Sequence, residues 1–457
     1  MKIVLINPRT VRASTFPTGE FFSCTAPNMG LAYLAAVLQK EGYAVDIIDA
    51  QALGLGEAGL RESLRRIKPD IIGSTATTTT IYDGLNAIKI GRELYPEAFT
   101  ILGGVHASVL PVETLTECPQ LDAVCIGEGE ETIVALARAL ERKECLAKVR
   151  GIAYKRDKQI IRTQPRALIS DLDSLPLPAR NLLPMEKYAS GGKPHRTASI
   201  VSSRGCPFHC AFCATPYIAG RQYRARSAQN IVAEILHIVE EYDMHSFEFV
   251  EDLFTMDNKR VTDICDGIID IGLNVTWSCS ARADTVTPEL ISKMAEGGCR
   301  CIFYGIESGC QRVLDLMKKG ERLQQIADAV RWTEDAGMQT WGFFILGFPG
   351  ETRQELEMTI QFAGETGLDF AEFFIISAFP GSPLYTVAKK ENMLIACNWA
   401  DIAYGVPNVR NPEIPPEELQ DYLIKAYKVF YTSPGVVSRL TAEGQSDLLD
   451  EILHQVS

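Results

Sequence analysis

The sequence has little basic charge, no long apolar run and no low-complexity tract. Its 457 residues hold 45 Lys and Arg against 58 Asp and Glu, a formal charge of −13, which argues against wholesale nucleic-acid binding and leaves room only for a local basic patch. No apolar run approaches the roughly 18 residues of a membrane-spanning helix. The short run at residues 3–6, ended by Asn7-Pro8, is too brief for a signal-peptide core, so a cytoplasmic protein is expected. With 46% hydrophobic and 23% charged residues, disorder, collagen and coiled coil are excluded as the main architecture. At roughly 150 residues per domain the length predicts two or three domains.

The 13 cysteines are not a disulfide framework if the compartment is reducing. Ten are scattered singly, as small buried hydrophobes are: Cys24, Cys118, Cys125, Cys145, Cys265, Cys279, Cys299, Cys301, Cys310 and Cys397. Only Cys206, Cys210 and Cys213 cluster.

Residues 1–143 alternate short β-rich runs (2–7, 44–49, 70–75, 100–103 and 123–127) with helix-period segments. This is the pattern of an α/β, doubly wound, flavodoxin-like domain whose ligands sit beyond the carboxyl ends of the strands. In the first helix Leu31, Leu34, Ala35 and Leu38 share a face, with Asn28 as N-cap and Gly42 past the end. Small and polar residues collect at three strand ends. Thr75, Thr77 and Thr78 follow the third strand, Gly103, Gly104 and His106 the fourth, and Gly127, Glu128 and Gly129 the fifth. Each alone could be a turn opening a helix; three at one edge favour a binding face. No GxGxxG follows the first strand, which disfavours a dinucleotide.

Residues 144–194 are less periodic, and the Leu-Pro-Leu-Pro-Ala-Arg stretch at 175–180 reads as a connecting arm. Beyond it, residues 195–395 again alternate strand and helix, with strands expected at 197–203, 247–251, 275–280, 301–306, 339–347 and 370–377, an incomplete (β/α)6 barrel. Residues 396–457 hold two helices, at 417–431 and 448–454, expected to close the barrel's open edge or to shape its pocket. The segment Tyr223-Arg224-Ala225-Arg226-Ser227 reads as a capped helix start carrying positive charge near the cysteines, and residues 346–352 as a tight turn into a helix.

After the first barrel strand, Cys206, Cys210 and Cys213 form a CxxxCxxC triplet. Three thiolates on one loop can bind three irons of a cubane and leave the fourth without a protein ligand, open to a small molecule. The alternative is zinc, with His209 or His195 as fourth ligand, although structural zinc sites are usually two ligand pairs. The GCPFHCAFC segment resembles the radical S-adenosylmethionine (SAM) superfamily. The segments at 72–80, 103–108 and 127–132 resemble the cobalamin-binding domain that precedes many of its members.

The resemblance covers residues 1–395 and implies three cofactors: a 4Fe-4S cluster on Cys206, Cys210 and Cys213, SAM, and cobalamin. It implies SAM contacts at Glu251 or Asp252, Ser280, Arg282 and Glu307, with the backbone near Phe212 by the adenine. Cobalamin would lie on the strand-end residues 75–78, 103–106 and 127–129. The DxHxxG loop that ligates cobalt in some cobalamin proteins is replaced by Asn7-Pro8-Arg9-Thr10-Val11-Arg12, so no histidine from that loop is a lower ligand. Weak axial ligation favours methyl shuttling.

The order of domains is similar to the B12-binding class that contains methyltransferases of unactivated carbon and an anaerobic magnesium-protoporphyrin ester cyclase. The implied function is SAM cleavage to a 5′-deoxyadenosyl radical, followed by methylation of a small-molecule substrate through methylcobalamin, with a reductant such as flavodoxin or ferredoxin. The alternatives are a cyclase or rearrangement that uses cobalamin differently or not at all, and a non-enzymatic iron–sulfur or zinc sensor.

Overall fold

The computed structural model describes residues 1–10, 24–157, 159–190, 193–194, 196–395, 398–399, 402, 406–442 and 444–455. Five parallel strands, β1 (Lys2–Asn7), β2 (Ala44–Asp49), β3 (Ile71–Thr75), β4 (Phe99–Gly103) and β5 (Ala123–Cys125), form the first sheet in the order β2-β1-β3-β4-β5. This is the expected flavodoxin-like winding. Ile3, Val4, Leu5 and Ile6 are all buried, because helices cover both faces of a parallel sheet. The first helix, Met29–Lys40, starts where Asn28 Oδ1 accepts the Leu31 N–H at 3.1 Å. It buries Leu31, Ala35 and Leu38 on the sheet.

The stretch expected as an arm begins differently. A hairpin, β6 (Ile152–Arg156) and β7 (Gln159–Arg162), pairs antiparallel with β5 and extends the sheet to seven strands. It covers a three-residue edge strand that would otherwise expose unpaired backbone. From there three single 3-10 turns (Leu172–Ser174, Arg180–Leu182, Met185–Lys187) carry the chain to the barrel. Arg180 is buried and pairs with Glu234 at 2.5 Å, and Glu234 also pairs with Arg226. Tyr33 of the first helix accepts from Arg226 at 3.2 Å, so one buried ion cluster joins helix, arm and barrel.

The barrel sheet contains β8 (Thr197–Ile200), β9 (Ser246–Phe249), β10 (Thr276–Ala281), β11 (Cys299–Glu307), β12 (Gln339–Leu346) and β13 (Phe370–Ile375), all parallel and in sequence order. Alternate residues such as Phe247, Phe249, Trp277, Ile302, Phe344 and Phe373 pack outward under the helices as the main core. The intervening residues line the lumen and stay half-exposed.

The open edge at β13 is covered by the helix Pro416–Tyr431. Tyr431 Oη accepts the Ala371 N–H (3.3 Å) and donates to its carbonyl (3.0 Å). Tyr427 does the same at Phe373 (3.2 and 3.3 Å). Two hydroxyls thus stand in for a missing strand. A helix at Pro434–Ala442, not anticipated from the sequence, precedes the last one, Ser446–Gln455. No helix among the described residues is long and apolar enough to cross a membrane.

Candidate active site

Past β8, Ser203–Arg204 pairs antiparallel with Arg224–Ala225, and the chain turns at Gly205 into Cys206. Gly205 has φ +85°, and a Cβ there would stand 2.2 Å from Gln222 O, so no other residue fits. The cysteine loop is pinned on both sides: the Ala211 N–H donates to Met317 O and the Leu384 N–H to Ala211 O, each at 2.8 Å. Phe212 packs into the small core of Met317 and Phe348 beneath the loop.

The three thiols are free and half-exposed. Burial pushes the Cys210 thiol up to about 11 and raises that of Cys213, so a metal must displace their protons. Among the described residues no three His, Cys, Asp or Glu side chains surround a point that one metal ion could occupy. Three separate thiols suit a cubane, whose corner irons each take one. His195 lies outside the described residues, as do Val11, Arg12 and Cys397.

Arg282 Cζ lies over the Phe208 ring (3.6 Å to the centroid), with Nη1 3.8 Å from Cys210 Sγ. It is also held by both carboxylate oxygens of Asp284 and by Lys319 O, all at 2.8 Å. The cation beside the cysteines is therefore Arg282. Arg224 and Arg226, expected in that role, are spent between the two sheets, on Glu128 and Glu234. The helix start itself is as expected: Ser227 caps Ala228–Tyr242.

At the end of β11, Glu307 takes φ +69°, a strained conformation for a non-glycine residue, beside a register shift between Gly305 and Glu307. Its carboxylate meets Lys319 Nζ at 3.2 Å, and Lys319 also pairs with Glu321 at 3.3 Å. Glu321 in turn accepts the Ala283 N–H at 2.7 Å. These buried charges, with Ser280 facing the lumen, form a mixed acid–base mouth that could bind a zwitterion. Lys319, Glu321 and Asp284 were not picked out from the sequence. The signal was available in Lys318-Lys319-Gly320-Glu321, a dense run of charge between two helices.

Glu251 departs from its expected role. It is buried and turned back onto the Ser202 hydroxyl and N–H, with Arg260 bonded to the same hydroxyl, because a desolvated carboxylate needs such partners. Asp252 is the acid that faces open space, 3.3 Å from Thr215 Oγ1.

On the first sheet a cavity of about 330 Å³ lies beyond the strand ends, lined by Thr75, Gly103, Gly104, Gly127, Glu128 and Gly129 as expected, and by Leu31, Leu34 and Ile133. Gly104 (φ +95°) crosses so close to Ala76 that a Cβ would lie 2.4 Å from its carbonyl oxygen. At Gly103 the nearest atom to a Cβ is 3.9 Å away, and at Gly127 nothing lies within 4 Å, so bare backbone faces the space. Such a floor could receive a broad, flat ligand with amide groups.

Four residues depart from expectation here. Glu128 lines the cavity, but its carboxylate is committed to Arg224 (2.9 Å), Arg204 (3.3 Å) and the Ile169 N–H (2.7 Å). His106 is buried behind the edge, against Thr78 (3.3 Å) and the Trp399 ring, and burial pushes its imidazole down to about 4. Thr77 and Thr78 line a second cavity of about 400 Å³, with Thr215, Asp252 and Phe379. Ile218 and Ala219 line both cavities.

Residues 200–363 match the Radical SAM superfamily and residues 22–137 the B12 binding domain. An uncharacterized methyltransferase of Pyrococcus horikoshii is 37% identical over 437 residues, spanning 96% of this chain and 94% of its own length. An anaerobic magnesium-protoporphyrin IX monomethyl ester cyclase of Rubrivivax gelatinosus is 29% identical over 438 residues, spanning 94% and 77%. Among solved structures, the radical S-adenosylmethionine methyltransferase TsrM from Kitasatospora setae, with cobalamin and a 4Fe-4S cluster bound, superposes with a TM-score of 0.74 at 17% identity, over 94% of this chain and 88% of that one. By these matches the chain belongs to the radical SAM superfamily, in the class that carries a B12 binding domain.

Proposed function

We propose that the protein methylates an unactivated carbon of a small-molecule substrate. Cys206, Cys210 and Cys213 hold a 4Fe-4S cluster, and the Glu307–Lys319 pair, Ser280, Asp252 and the backbone near Phe212 receive SAM. The glycine-floored cavity of the first sheet receives cobalamin. When bound, these groups supply reductive cleavage of SAM and a transferable methyl on cobalt.

One observation carries this reading: Ile218 and Ala219, on the helix Thr215–Ala219 that starts two residues after Cys213, form a wall common to both cavities. A substrate in the second cavity would lie between the cluster loop and the cobalamin floor, beside Asp252. The protein's own contribution is placement and exclusion of water. Arg282 offsets negative charge at the cluster, and the apolar lining of Leu31, Leu34 and Ile133 shields the corrinoid face. Among the described residues that lining holds no histidine.

A one-electron donor such as flavodoxin or ferredoxin completes the system. The 11 cysteines described as free support a reducing, cytoplasmic setting, and the charge balance supports no nucleic-acid partner. The test is anaerobic reconstitution with iron, sulfide and hydroxocobalamin, then reductant and SAM carrying a deuterated methyl group. Mass spectrometry should find the label on the extracted corrinoid. Formation of 5′-deoxyadenosine with an unlabelled corrinoid would overturn methyl transfer in favour of cyclase-type chemistry, and formation of neither would favour a sensor.

A further inference from the structure

The six barrel strands contain one cation, Arg300, which is exposed at the start of β11 and bonded to the Ala295 and Cys299 carbonyls. Their carboxylates are Glu248, Glu307 and Glu372, and Glu307 is matched by Lys319. Neither Glu248 nor Glu372 has such a match among the described residues, but Glu372 is the one beside the aromatic rings. It sits mid-strand on β13 with its side chain on the lumen face, since Ala371 and Phe373 pack outward beneath Tyr427 and Tyr431. Its Cα pairs with Phe343, and Phe343 pairs with Gly305, over which the Glu307–Lys319 pair folds. With strands about 4.8 Å apart, Glu372 stands about 10 Å across the wall from those charges, the span of a small molecule.

Half-exposed aromatic rings continue along this wall. Phe303 lies 5.8 Å from Trp341 and 6.1 Å from Phe343, and Phe343 lies 6.1 Å from Phe374. We propose that this acid-and-aromatic wall recognises a cationic nitrogen, an ammonium or amidinium, on the substrate. The inference rests on the proposed function and extends the substrate's seat from the second cavity, beside Asp252, along the lumen face of the barrel. Ring faces attract a cation, and a carboxylate with no charged partner of its own pairs with one. Burial agrees, pushing the Glu372 carboxyl up to about 7 against the opposing pull of the Trp341 indole N–H. With a neutral substrate the carboxyl meets that desolvation by holding its proton, so only a cation gains from the ionised form.

The test is calorimetric titration of the full-length protein at pH 8 with phenethylamine and with its neutral isostere 2-phenylethanol. The amine should bind at least about tenfold tighter, and Glu372→Gln, which preserves shape, should abolish that preference while the melting temperature stays unchanged. Glu248→Gln should retain it within about twofold. Equal binding of the two compounds, binding of neither, or a preference that survives in Glu372→Gln would overturn the proposal. Titration needs no turnover, so a labelled corrinoid with no amine preference sinks this inference alone. An unlabelled corrinoid with the preference intact sinks only the methyl-transfer reading.

Discussion

The two sheets offer their ligand-facing edges in opposite chemical styles. At the first, the strands end in Thr75 and Gly103-Gly104, the cavity is backbone and aliphatic, and the carboxylate on its rim, Glu128, is neutralised by two arginines. At the second, Arg282, Asp284, Glu307, Lys319 and Glu321 form a buried network of paired charges around the cysteine loop. The contrast teaches what each can hold: bare amides and apolar walls suit a broad, nearly neutral ring system, whereas opposed fixed charges suit a small zwitterion. The charges at the junction, Arg180, Arg226, Glu234 and Glu128, are committed to ion pairs that link the first sheet, the arm and the barrel.

The largest effect is expected at that junction. Glu234→Ala leaves Arg180 and Arg226 buried without a counter-charge and should lower unfolding stability by about 3–5 kcal/mol in denaturant titration. A change under about 1 kcal/mol would mean that the clamp does not hold the sheets together.

A crossed pair of variants probes the edges themselves. Gly103→Val adds bulk to the cavity floor and should weaken corrinoid binding by about tenfold or more, roughly 1.4 kcal/mol, with SAM binding unchanged. Lys319→Met unpairs Glu307 and should do the reverse. Equilibrium dialysis of both ligands against both proteins checks this; parallel losses would erase the distinction between the edges.

The smallest effect concerns the helix that follows the second edge. Thr352 and Glu355 close a capping box on Arg353–Glu365, and Thr352→Ala should cost about 1 kcal/mol by thermal unfolding. Hydrogen bonds from Arg312 hold the Glu355 carboxyl down at about 2, below its ordinary value. Its contribution is therefore fully present above the ordinary carboxylate range and fades as pH falls toward 2. Stability of Glu355→Gln should accordingly fall less over that acid window than stability of the native protein.

The parallel strands of both sheets were legible because each is a short β-rich run between helix-period segments. The first cap was legible because Asn28 precedes a clear apolar stripe. The hairpin 152–162 was not, since its mixed residues carry no sustained alternation and its partner, β5, is only three residues long. The three cysteines could be read directly because they are contiguous on one loop. The partners of Glu128 and Glu251 were not legible for one reason: they lie far off in sequence, Arg224 96 residues away and Ser202 49, and no local pattern reveals such a commitment. Lys319 was passed over because its neighbours, Glu307 and Glu321, converge only when β11 and the turn after it are folded.

The central claim is that Cys206, Cys210 and Cys213 leave one iron of a cubane for SAM to occupy. The most direct measurement is the electron paramagnetic resonance spectrum of the reduced, iron–sulfide-reconstituted protein with and without SAM. The account predicts a rhombic 4Fe-4S signal whose g values shift when SAM is added. A signal unmoved by saturating SAM, or no 4Fe-4S signal at all, would contradict it.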